Sequence, residues 1–272
     1  MTVLSMLTPR AGLRVLVTGG ASGIGLAIAQ AFVETGARVH VCDASEHTID
    51  ALRRSQEQAS GSNKHTPITA ALADVADRDA VEGVFDDVAK QLGGLDVLVN
   101  NAGIAGPTGG VDEIDVGEWE QTVDINLNAQ FYFARRAVPL LREAPEGGSI
   151  VALSSVAGRL GYAYRTPYSA TKWAIVGLTK SLAIELGPSG IRVNTIQPGI
   201  VKGPRIERVI AARAQQLNLS YEEMERRYLD KISLRRMTTP EEVAATALFL
   251  CSPAGKGISG QAISVCGNVE VL

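Results

Sequence analysis

The chain has 272 residues, enough for one large domain or two small ones with a substantial core. Apolar residues make up 46% and charged residues 20%, as in globular proteins, and the net charge of −3 gives no reason to expect a nucleic-acid partner. The opening residues, MTVLSMLTPR, lack a basic region followed by an apolar run, and no later segment has 18 consecutive apolar residues. We therefore expect neither a signal peptide nor a membrane partner.

Three cysteines, Cys42, Cys251 and Cys266, lie far apart in the sequence. Their odd number and their spacing match neither a disulfide framework nor a zinc cluster. A reducing cytoplasm is the setting that this pattern favours. The three histidines have no partner pattern, so we expect them at the surface and expect no metal site.

The first half of the chain alternates short apolar segments with helical patterns. The strands expected here are residues 14–18, 38–43, 68–72 and 95–99. The helices expected here run from Leu26 to near Gly36, between the second strand and an SGSN loop at residues 60–63, and over residues 77–92. Such alternation predicts a parallel sheet that is covered by helices on both faces.

The second half continues this alternation. The strands expected here are residues 149–154, 192–197 and 260–265. A long helix is expected over residues 117–142, broken only by Pro139. Thr166 and Pro167 predict the N-cap and first turn of the next helix, which should end near Gly187. We see no linker or repeat, so one domain is the simplest interpretation.

Residues 204–236 interrupt the alternation, because they are helical, rich in arginine and without a strand. Ser220 and Glu223 form a predicted capping box. Apolar residues recur at helical spacing, namely Ile206, Ile210, Tyr221, Met224, Tyr228 and Ile232. In one interpretation they face a substrate, and the arginines face water or an anionic substrate group. In the other, which we favour for individual residues, they are core and the arginines form a solvated face.

The turn TGGASGIG at residues 18–25 lies between a predicted strand and a predicted helix. Its glycines allow a tight turn close to a pyrophosphate, and the helix N-terminus supplies free N–H groups. Asp43 follows Gly23 by 20 residues at a strand end. A carboxylate there can accept both ribose hydroxyls and would repel a 2′-phosphate. Because Ser22 and Ala44 are not basic, the pattern favours NAD over NADP.

Tyr168 and Lys172 lie four residues apart in the stretch TPYSATK. On a helix this spacing places the phenol and the ammonium group on one face. A buried cation beside a phenol favours the phenolate, so the pair can exchange protons nearer neutrality. By itself the spacing occurs often by chance and favours two solvent-facing helix residues; the motifs upstream reverse that interpretation.

In combination, these features resemble the classical short-chain dehydrogenase/reductase family along nearly the whole chain. The motifs that carry the resemblance are TGGASGIG (18–25), LADV (72–75), NNAG (100–103), Asn126 in DINLNAQF, LSS (153–155), YSATK (168–172) and PGIV (198–201). The resemblance implies an α/β fold of the Rossmann type, with a doubly wound, seven-stranded parallel sheet. It also implies a single domain over residues 1–272, with a small helical substrate lid at about 204–236.

The resemblance implies a catalytic set of Asn126, Ser155, Tyr168 and Lys172. Ser155 would hold the substrate oxygen, and Tyr168 would exchange a proton with that oxygen. Lys172 would lower the tyrosine pKa and bind the nicotinamide ribose, while Asn126 would hold a water that links Lys172 to solvent. Ser154, the neighbour on the alternating strand, is expected to point the other way.

A cofactor site for NAD is implied by the same resemblance. Its residues are Gly19, Ser22, Gly23, Ile24, Gly25, Asp43, Asp74, Val75, Asn101, Ala102, Gly103, Tyr168, Lys172, Pro198, Gly199 and Val201. Asn100 is also expected to line the adenosine ribose side. The chain departs from the family at Gly203, where many relatives carry threonine, and at Cys266, where relatives often carry aspartate.

We therefore expect an NAD-dependent oxidoreductase that interconverts a secondary alcohol and a ketone. A polyol or sugar, an alicyclic or aromatic-pathway alcohol, and a 3-hydroxyacyl compound remain open as substrates. The alternatives are a ketoreductase of the 3-oxoacyl (acyl-carrier) type and an NAD-binding regulatory protein without turnover. Residues 117–142 and the Tyr168 helix resemble the helices through which relatives form tetramers, so a homotetramer is expected.

Overall fold

The sheet is the element on which every other part of the fold is built. A computed structural model of the protein describes residues 2–59 and 67–271. Its parallel strands are β1 (Arg14–Thr18), β2 (Arg38–Asp43), β3 (Thr69–Leu72), β4 (Val97–Asn100), β5 (Ser149–Leu153), β6 (Arg192–Pro198) and β7 (Ala262–Val265). They form one sheet in the order β3-β2-β1-β4-β5-β6-β7. This is the Rossmann-type doubly wound sheet that the sequence predicts.

Helices connect the strands and lie on both faces of the sheet. Within the described residues they are α1 (Val3–Met6), α2 (Gly23–Glu34), α3 (Glu46–Ala59), α4 (Arg78–Leu92), α5 (Val116–Val123), α6 (Ala129–Arg142), α7 (Thr166–Leu186), α8 (Pro204–Gln216), α9 (Tyr221–Leu229) and α10 (Pro240–Cys251). A π-helical turn, Asp124–Asn128, joins α5 to α6.

The core lies in two layers, one on each face of the sheet. Val15 and Val17 of β1 pack with Phe32 of α2 on one face, and Leu16 packs with Phe133 of α6 on the other. Successive strand residues point to opposite faces, so a strand buried on both faces is apolar throughout. The strand order reverses between β1 and β4, which opens a crevice at their carboxyl ends where ligands of such sheets bind.

The helix expected over residues 117–142 is interrupted, but not at Pro139. Pro139 lies inside α6, which continues to Arg142. The irregularity is the π-helical turn, where the Ala129 N–H donates to the Asp124 carbonyl five residues back. Such turns occur frequently at functional sites. Here the turn contains Asn126, one of the four residues of the implied catalytic set.

Other predicted boundaries also differ from the structure, most of them by one or two residues. The helix after β1 begins at Gly23 and not at Leu26, because the predicted start followed the first apolar residue and missed the helical glycines. Thr166 is the first residue of α7, and Arg165 occupies the N-cap position without a side-chain cap. β4 begins at Val97 and not at residue 95, because Val97 is the first of its residues to pair with β1. The predicted SGSN loop, residues 60–63, lies outside the described residues.

The 204–236 segment folds as α8 and α9 and contains a small apolar cluster of its own. Ile210 and Met224 are buried in this cluster, and Tyr221 and Tyr228 pack against it. The predicted capping box of Ser220 and Glu223 is present. The packing supports the core interpretation of the apolar stripe, whereas the role of the segment as a substrate lid stays a prediction.

His40 contradicts the expectation that the histidines lie at the surface. It is 2% exposed in β2, between the apolar residues Val39 and Val41. Its Nδ1 lies 2.8 Å from the Thr69 hydroxyl of β3, and its Nε2 is buried without a partner. Strand RVHVCD is covered on both faces, so its polar residue is buried as well.

Candidate active site

The glycine-rich turn after β1 is held to the end of β4 by Asn101. Its side-chain amide donates to the carbonyls of Thr18 and Gly19, both at 2.9 Å. The Thr18 hydroxyl accepts from the N–H groups of Asn101 and Ala102. A Cβ on Gly25 would overlap the Gly19 carbonyl and lie 2.5 Å from Asn101 Nδ2. The turn therefore has room only for glycine at this position.

The first turn of α2 faces the crevice with its backbone N–H groups. Ser22 occupies the N-cap position but makes no side-chain hydrogen bond to the helix. Gly23, the first helical residue, has a φ of 54°, and a Cβ added to it would meet no atom within 4 Å. A helix end without a side-chain cap retains free donors and the positive end of the helix dipole. This is the arrangement that binds phosphate groups in such folds.

The Asp43 carboxylate lies at the end of β2, beside this turn. One oxygen accepts from the Ala21 N–H at 3.2 Å, and the other accepts from the Ser45 N–H at 3.1 Å. Residues 18–25 and 43–46 contain no lysine or arginine, and Glu46 adds a second acid at the start of α3. The pocket edge is therefore acidic.

The remaining cofactor candidates are distributed along the same edge of the sheet. Asp74 follows β3 and accepts from the Ala76 N–H at 2.9 Å, and Val75 beside it is buried. Pro198 ends β6, Gly199 donates to the Val265 carbonyl, and Val201 forms a bridge with Thr238. Asn100 does not line the crevice, because its amide donates to the Gln130 carbonyl under α6.

Tyr168, Lys172 and Ser155 converge at the carboxyl end of β5. The Ser155 side chain is one of the groups that lower the pKa of Tyr168, so the two side chains are neighbours. The Lys172 side chain is buried, with the residue 4% exposed, and its ammonium group donates to the Leu153 carbonyl at 2.9 Å and lies 5.6 Å from the centre of the Tyr168 ring. The phenol, the hydroxyl and the amine that the sequence separates are therefore neighbours.

The electrostatic surroundings of Tyr168 favour loss of its proton. Burial by itself would raise the pKa of Tyr168. The charge of Lys172, the Ser155 side chain and the charges of two arginines, Arg205 and Arg165, outweigh burial and lower that pKa below its usual value. The pKa of Lys172 is also lowered, first by burial and then by Arg205, while Tyr168 opposes the change.

Ser154 and Ser155 have different partners, as the alternation of the strand predicts. The Ser154 hydroxyl donates to the Lys172 carbonyl at 2.7 Å, so it is bonded to the backbone of α7. The Ser155 hydroxyl accepts from the Ala157 N–H at 3.2 Å and faces Tyr168. Ser155 is therefore the serine that lies within reach of a reacting oxygen.

Asn126 lies behind Lys172 and ties the loop after β4 to α7. Its oxygen accepts from the Ile104 N–H at 2.8 Å, and its amide donates to the Ile104 carbonyl and to the Thr171 hydroxyl. A Cβ on Gly103 would lie 3.0 Å from the Asn126 oxygen and 3.5 Å from Lys172 Nζ. Asn126 therefore borders the lysine and positions the wall of the site.

Comparison with known proteins gives one family. A family model described as Enoyl-(Acyl carrier protein) reductase matches residues 19–268. 3beta-hydroxysteroid dehydrogenase 2 of Eggerthella lenta is 36% identical over 258 residues, which cover 95% of each chain. The chain belongs to the short-chain dehydrogenase/reductase family. It is therefore an oxidoreductase of a family that acts on alcohol and ketone groups.

Solved structures of the family agree with this assignment. A variant of actinorhodin polyketide ketoreductase with NADPH superposes with a TM-score of 0.87 at 31% identity, over 95% of this chain and 97% of that one. A 7alpha-hydroxysteroid dehydrogenase complexed with NADH and 7-oxo glycochenodeoxycholic acid superposes with a TM-score of 0.81 at 27% identity, over 99% and 98%. These short-chain dehydrogenases bind a nicotinamide dinucleotide, one of them with and one without the 2′-phosphate.

The crevice of this family member fits such a cofactor. The uncapped first turn of α2 and the Gly25 turn suit a pyrophosphate, and Asp43 can accept hydrogen bonds from a ribose. No helix described for this chain is long and apolar enough to cross a membrane. Among the described residues there is no group of three or more His, Cys, Asp or Glu side chains that could hold a metal ion.

The two departures from the family pattern have structural explanations. Gly203 has a φ of 151° at the start of α8, a backbone conformation that a threonine would adopt only with strain. Cys266 is 6% exposed, and a Cβ added to Gly199 would lie 2.7 Å from the Cβ of Cys266. Its sulfur accepts from the Val269 N–H at 3.5 Å and from the Arg159 guanidinium at 3.7 Å. Cys266 thus packs the C-terminal segment against the segment after β6.

Arg165 is the residue of the site that the motifs did not identify. Its guanidinium carbon lies 5.3 Å from the centre of the Tyr168 ring and 5.4 Å from that of the Tyr162 ring. The one signal in the sequence was its spacing of three residues from Tyr168, which places both on one face at the start of α7. Arg205 of α8 is the second such cation, since its charge acts on Tyr168 and Lys172.

Proposed function

We propose that the protein is an NAD-dependent dehydrogenase/reductase that interconverts a secondary alcohol and a ketone. The observation that carries this proposal is the convergence of Ser155, Tyr168 and Lys172 beside a dinucleotide crevice. Asn126 supports the set from behind, through its bonds to Ile104. An NAD-binding regulatory protein without turnover would have no use for this complete arrangement.

Each side chain has a role that follows from its surroundings. A bound nicotinamide dinucleotide accepts or supplies the hydride. Ser155 donates a hydrogen bond to the substrate oxygen, and Tyr168 takes the alcohol proton as a phenolate or returns it as a phenol. Lys172 stabilises the phenolate because its buried charge lies beside the ring, and its ammonium group can also bind the nicotinamide ribose. Asn126 keeps the wall behind Lys172 in place.

NAD is proposed over NADP because of the acidic pocket edge. The Asp43 carboxylate is oriented by the N–H groups of Ala21 and Ser45, so it cannot easily turn away from a 2′-phosphate. No basic residue of the turn or of residues 43–46 would neutralise that phosphate. Titrations with NADH and NADPH, followed by fluorescence, should show tighter binding of NADH. Asp43→Ala should reduce the ratio of the NADPH to the NADH dissociation constant at least tenfold. Equal binding of the two by the unchanged protein would refute this proposal.

Turnover is tested with a panel of secondary alcohols, each offered with NAD and with NADP. The panel should contain a polyol, alicyclic alcohols, hydroxysteroids and 3-hydroxyacyl thioesters, and NADH formation is followed at 340 nm. The related hydroxysteroid dehydrogenases support alicyclic alcohols as the first class to test. If Tyr168→Phe and the unchanged protein gave the same rates, the activity would not come from this site.

A ketoreductase of the 3-oxoacyl type is the second candidate. It is favoured by the similarity to actinorhodin polyketide ketoreductase, which was determined with NADPH. Reduction of an acetoacetyl thioester with NADPH faster than any alcohol is oxidised with NAD would favour this candidate. The acidic edge at Asp43 argues against it.

We also propose a homotetramer in the cytoplasm. Large apolar side chains are exposed on the two helical stretches that resemble the tetramer helices of relatives, namely Trp119, Phe131, Trp173 and Ile184. Exposed apolar surface of this kind is typical of protein interfaces. The cysteines Cys42, Cys251 and Cys266 are all free thiols, which persist in a reducing compartment. Sedimentation equilibrium should give four times the 28.7 kDa chain mass.

A further inference from the structure

Arg165 is placed where three segments meet around the catalytic tyrosine. Its Nη2 donates to the Ala105 carbonyl in the loop after β4, at 2.7 Å. The guanidinium lies against the rings of Tyr168 and Tyr162, at 5.3 and 5.4 Å. The charge of Arg165 also acts on Tyr228 of α9. The guanidinium is therefore next to the space in which a substrate would contact Tyr168.

The positive charge of Arg165 has no carboxylate partner in the part of the chain that the structure describes. The ion pairs there engage other arginines and a lysine. The Nε atom of Arg165 is buried and has no hydrogen-bond partner either. A cation in partly buried surroundings is costly unless an anion compensates it. The backbone carbonyl of Ala105 compensates it only in part.

A second cation acts on the same tyrosine from α8. The charge of Arg205 acts on both Tyr168 and Lys172, and none of the side chains whose charges act on Tyr168 is acidic. Glu207, two residues further on, acts instead on Tyr221 at the outer side of the segment. The approach to Tyr168 is thus bordered by positive charge.

From this geometry we infer that the substrate carries a carboxylate and that Arg165 binds it. A guanidinium can donate two parallel hydrogen bonds to a carboxylate, a geometry that an ammonium group cannot reproduce. The substrate class is then a hydroxy acid or oxo acid whose reacting carbon lies at Tyr168 while its carboxylate lies at Arg165. The inference rests on the proposed function, because it places the substrate at the same tyrosine.

Binding of non-reacting ligands tests the inference without any turnover. Cyclohexanecarboxylate, its methyl ester and cyclohexylmethanol are titrated by calorimetry into the full-length protein, in the presence of NADH or NADPH. The unchanged protein should bind the carboxylate about 10- to 100-fold more tightly than the two neutral ligands, as expected for hydrogen bonds to a charged group. Arg165→Met should abolish that preference, and Arg165→Lys should keep only part of it.

Arg208→Met is the matched control, because Arg208 is an exposed arginine of α8, the helix that contains Arg205, and lies beside Glu207 and Tyr221. This variant should keep the full preference for the carboxylate. Equal affinity for the three ligands, no binding of any of them, or a preference that survives in Arg165→Met would overturn the inference. If Arg165→Met did not fold, the unchanged protein and Arg165→Lys would still decide it.

These titrations and the turnover panel, extended by a hydroxy acid, together separate this inference from the proposed function. A protein that prefers the carboxylate but oxidises no alcohol would retain the anion site and refute the proposed reaction. A protein that oxidises neutral secondary alcohols but shows no preference for the carboxylate would retain the reaction and refute the anion site.

Discussion

Tyr168 is surrounded by groups that shift its proton equilibrium in opposite directions. Burial favours the neutral phenol, whereas Lys172, Ser155 and two arginines favour the phenolate, and the second influence is larger. The largest of these charge effects comes from Lys172, whose own burial lowers its pKa. A tyrosine with a lowered pKa is suited to exchange protons with an alcohol at moderate pH.

Replacing Tyr168 by phenylalanine removes the proton-exchanging group and keeps the ring. We expect Tyr168→Phe to lower kcat by about 10²–10⁴-fold, the usual contribution of a positioned acid–base group. Dinucleotide binding, measured by fluorescence titration, should change little because the crevice at Gly25 and Asp43 is untouched. Tyr164→Phe is the control, since Tyr164 is 67% exposed, and it should retain its activity. Full turnover of Tyr168→Phe would show that another group moves the proton.

The charge of Lys172 is expected to set the pH dependence of alcohol oxidation. Oxidation needs the phenolate, so the rate should rise with pH and level off above the lowered pKa of Tyr168. Lys172→Met removes the stabilising charge but leaves the half-buried tyrosine partly desolvated, so the rise should move to higher pH. The measurement is kcat as a function of pH at saturating alcohol and cofactor. Lys180→Met, a substitution further along α7 at an exposed lysine, should leave the profile in place.

At the scale of elements, the strands and helices were predictable because their apolar periodicity is strong. β1 and β2 were predicted with the bounds that the structure has. The π-helical turn at Asp124–Asn128 was not predicted, since the apolar pattern of residues 117–142 was interpreted as one α-helix with a break at Pro139. Pro139 was given too much weight, because a helix held by tertiary packing continues through a single missing N–H.

The role of Arg165 could not be predicted for a related reason. Its position at the start of α7 follows from the sequence, but the direction of its guanidinium depends on the loop after β4, which supplies the Ala105 carbonyl. Contacts between distant loops have no local signature. His40 is the opposite case, because an apolar strand covered on both faces was predicted and should already have placed this histidine in the interior.

The turn between β1 and α2 makes a prediction about two glycines. Gly25→Ala should weaken dinucleotide binding at least tenfold and lower the melting temperature, because its Cβ would collide with the Gly19 carbonyl and Asn101 Nδ2. Gly83→Ala is the matched control in α4, where a Cβ meets nothing within 4 Å. That substitution should stabilise the protein by about 0.5–1 kcal/mol, since alanine favours the helix. Thermal unfolding and NADH titration of both variants provide the measurements, and an unaffected Gly25→Ala would contradict the close packing of the turn.

At the scale of the whole molecule, the sheet brings together residues that are far apart in the chain. The turn after β1, Asp43 after β2, the loop after β4 and Ser155 after β5 all lie at the carboxyl edge of a parallel sheet. This convergence follows from the alternation of strands and helices. Once the parallel sheet had been predicted, the location of the site at its carboxyl edge could be predicted too. The Tyr168 helix completes the site because it packs back against β5 and β6.

The buried histidine of β2 should couple the stability of the whole sheet to pH. Burial lowers the pKa of His40 below its ordinary value of 6.5, although Asp87 opposes the shift. Between the lowered folded-state pKa and 6.5, the unfolded chain binds a proton that the folded protein does not. Stability should therefore fall as pH decreases below 6.5, by at most about 1.4 kcal/mol per pH unit for this one proton.

His40→Gln tests this coupling because it removes the titration and keeps a polar group near Thr69. The free energy of unfolding in urea, measured between about pH 8 and pH 5, should fall more steeply for the unchanged protein than for His40→Gln. Taking the difference between the two curves cancels the titration of the carboxylates that both proteins share. His47→Gln alters an exposed histidine of α3, so its curve should follow that of the unchanged protein. Parallel curves for the unchanged protein and His40→Gln would contradict the prediction, because they would show that His40 binds its proton equally well in the folded and the unfolded protein.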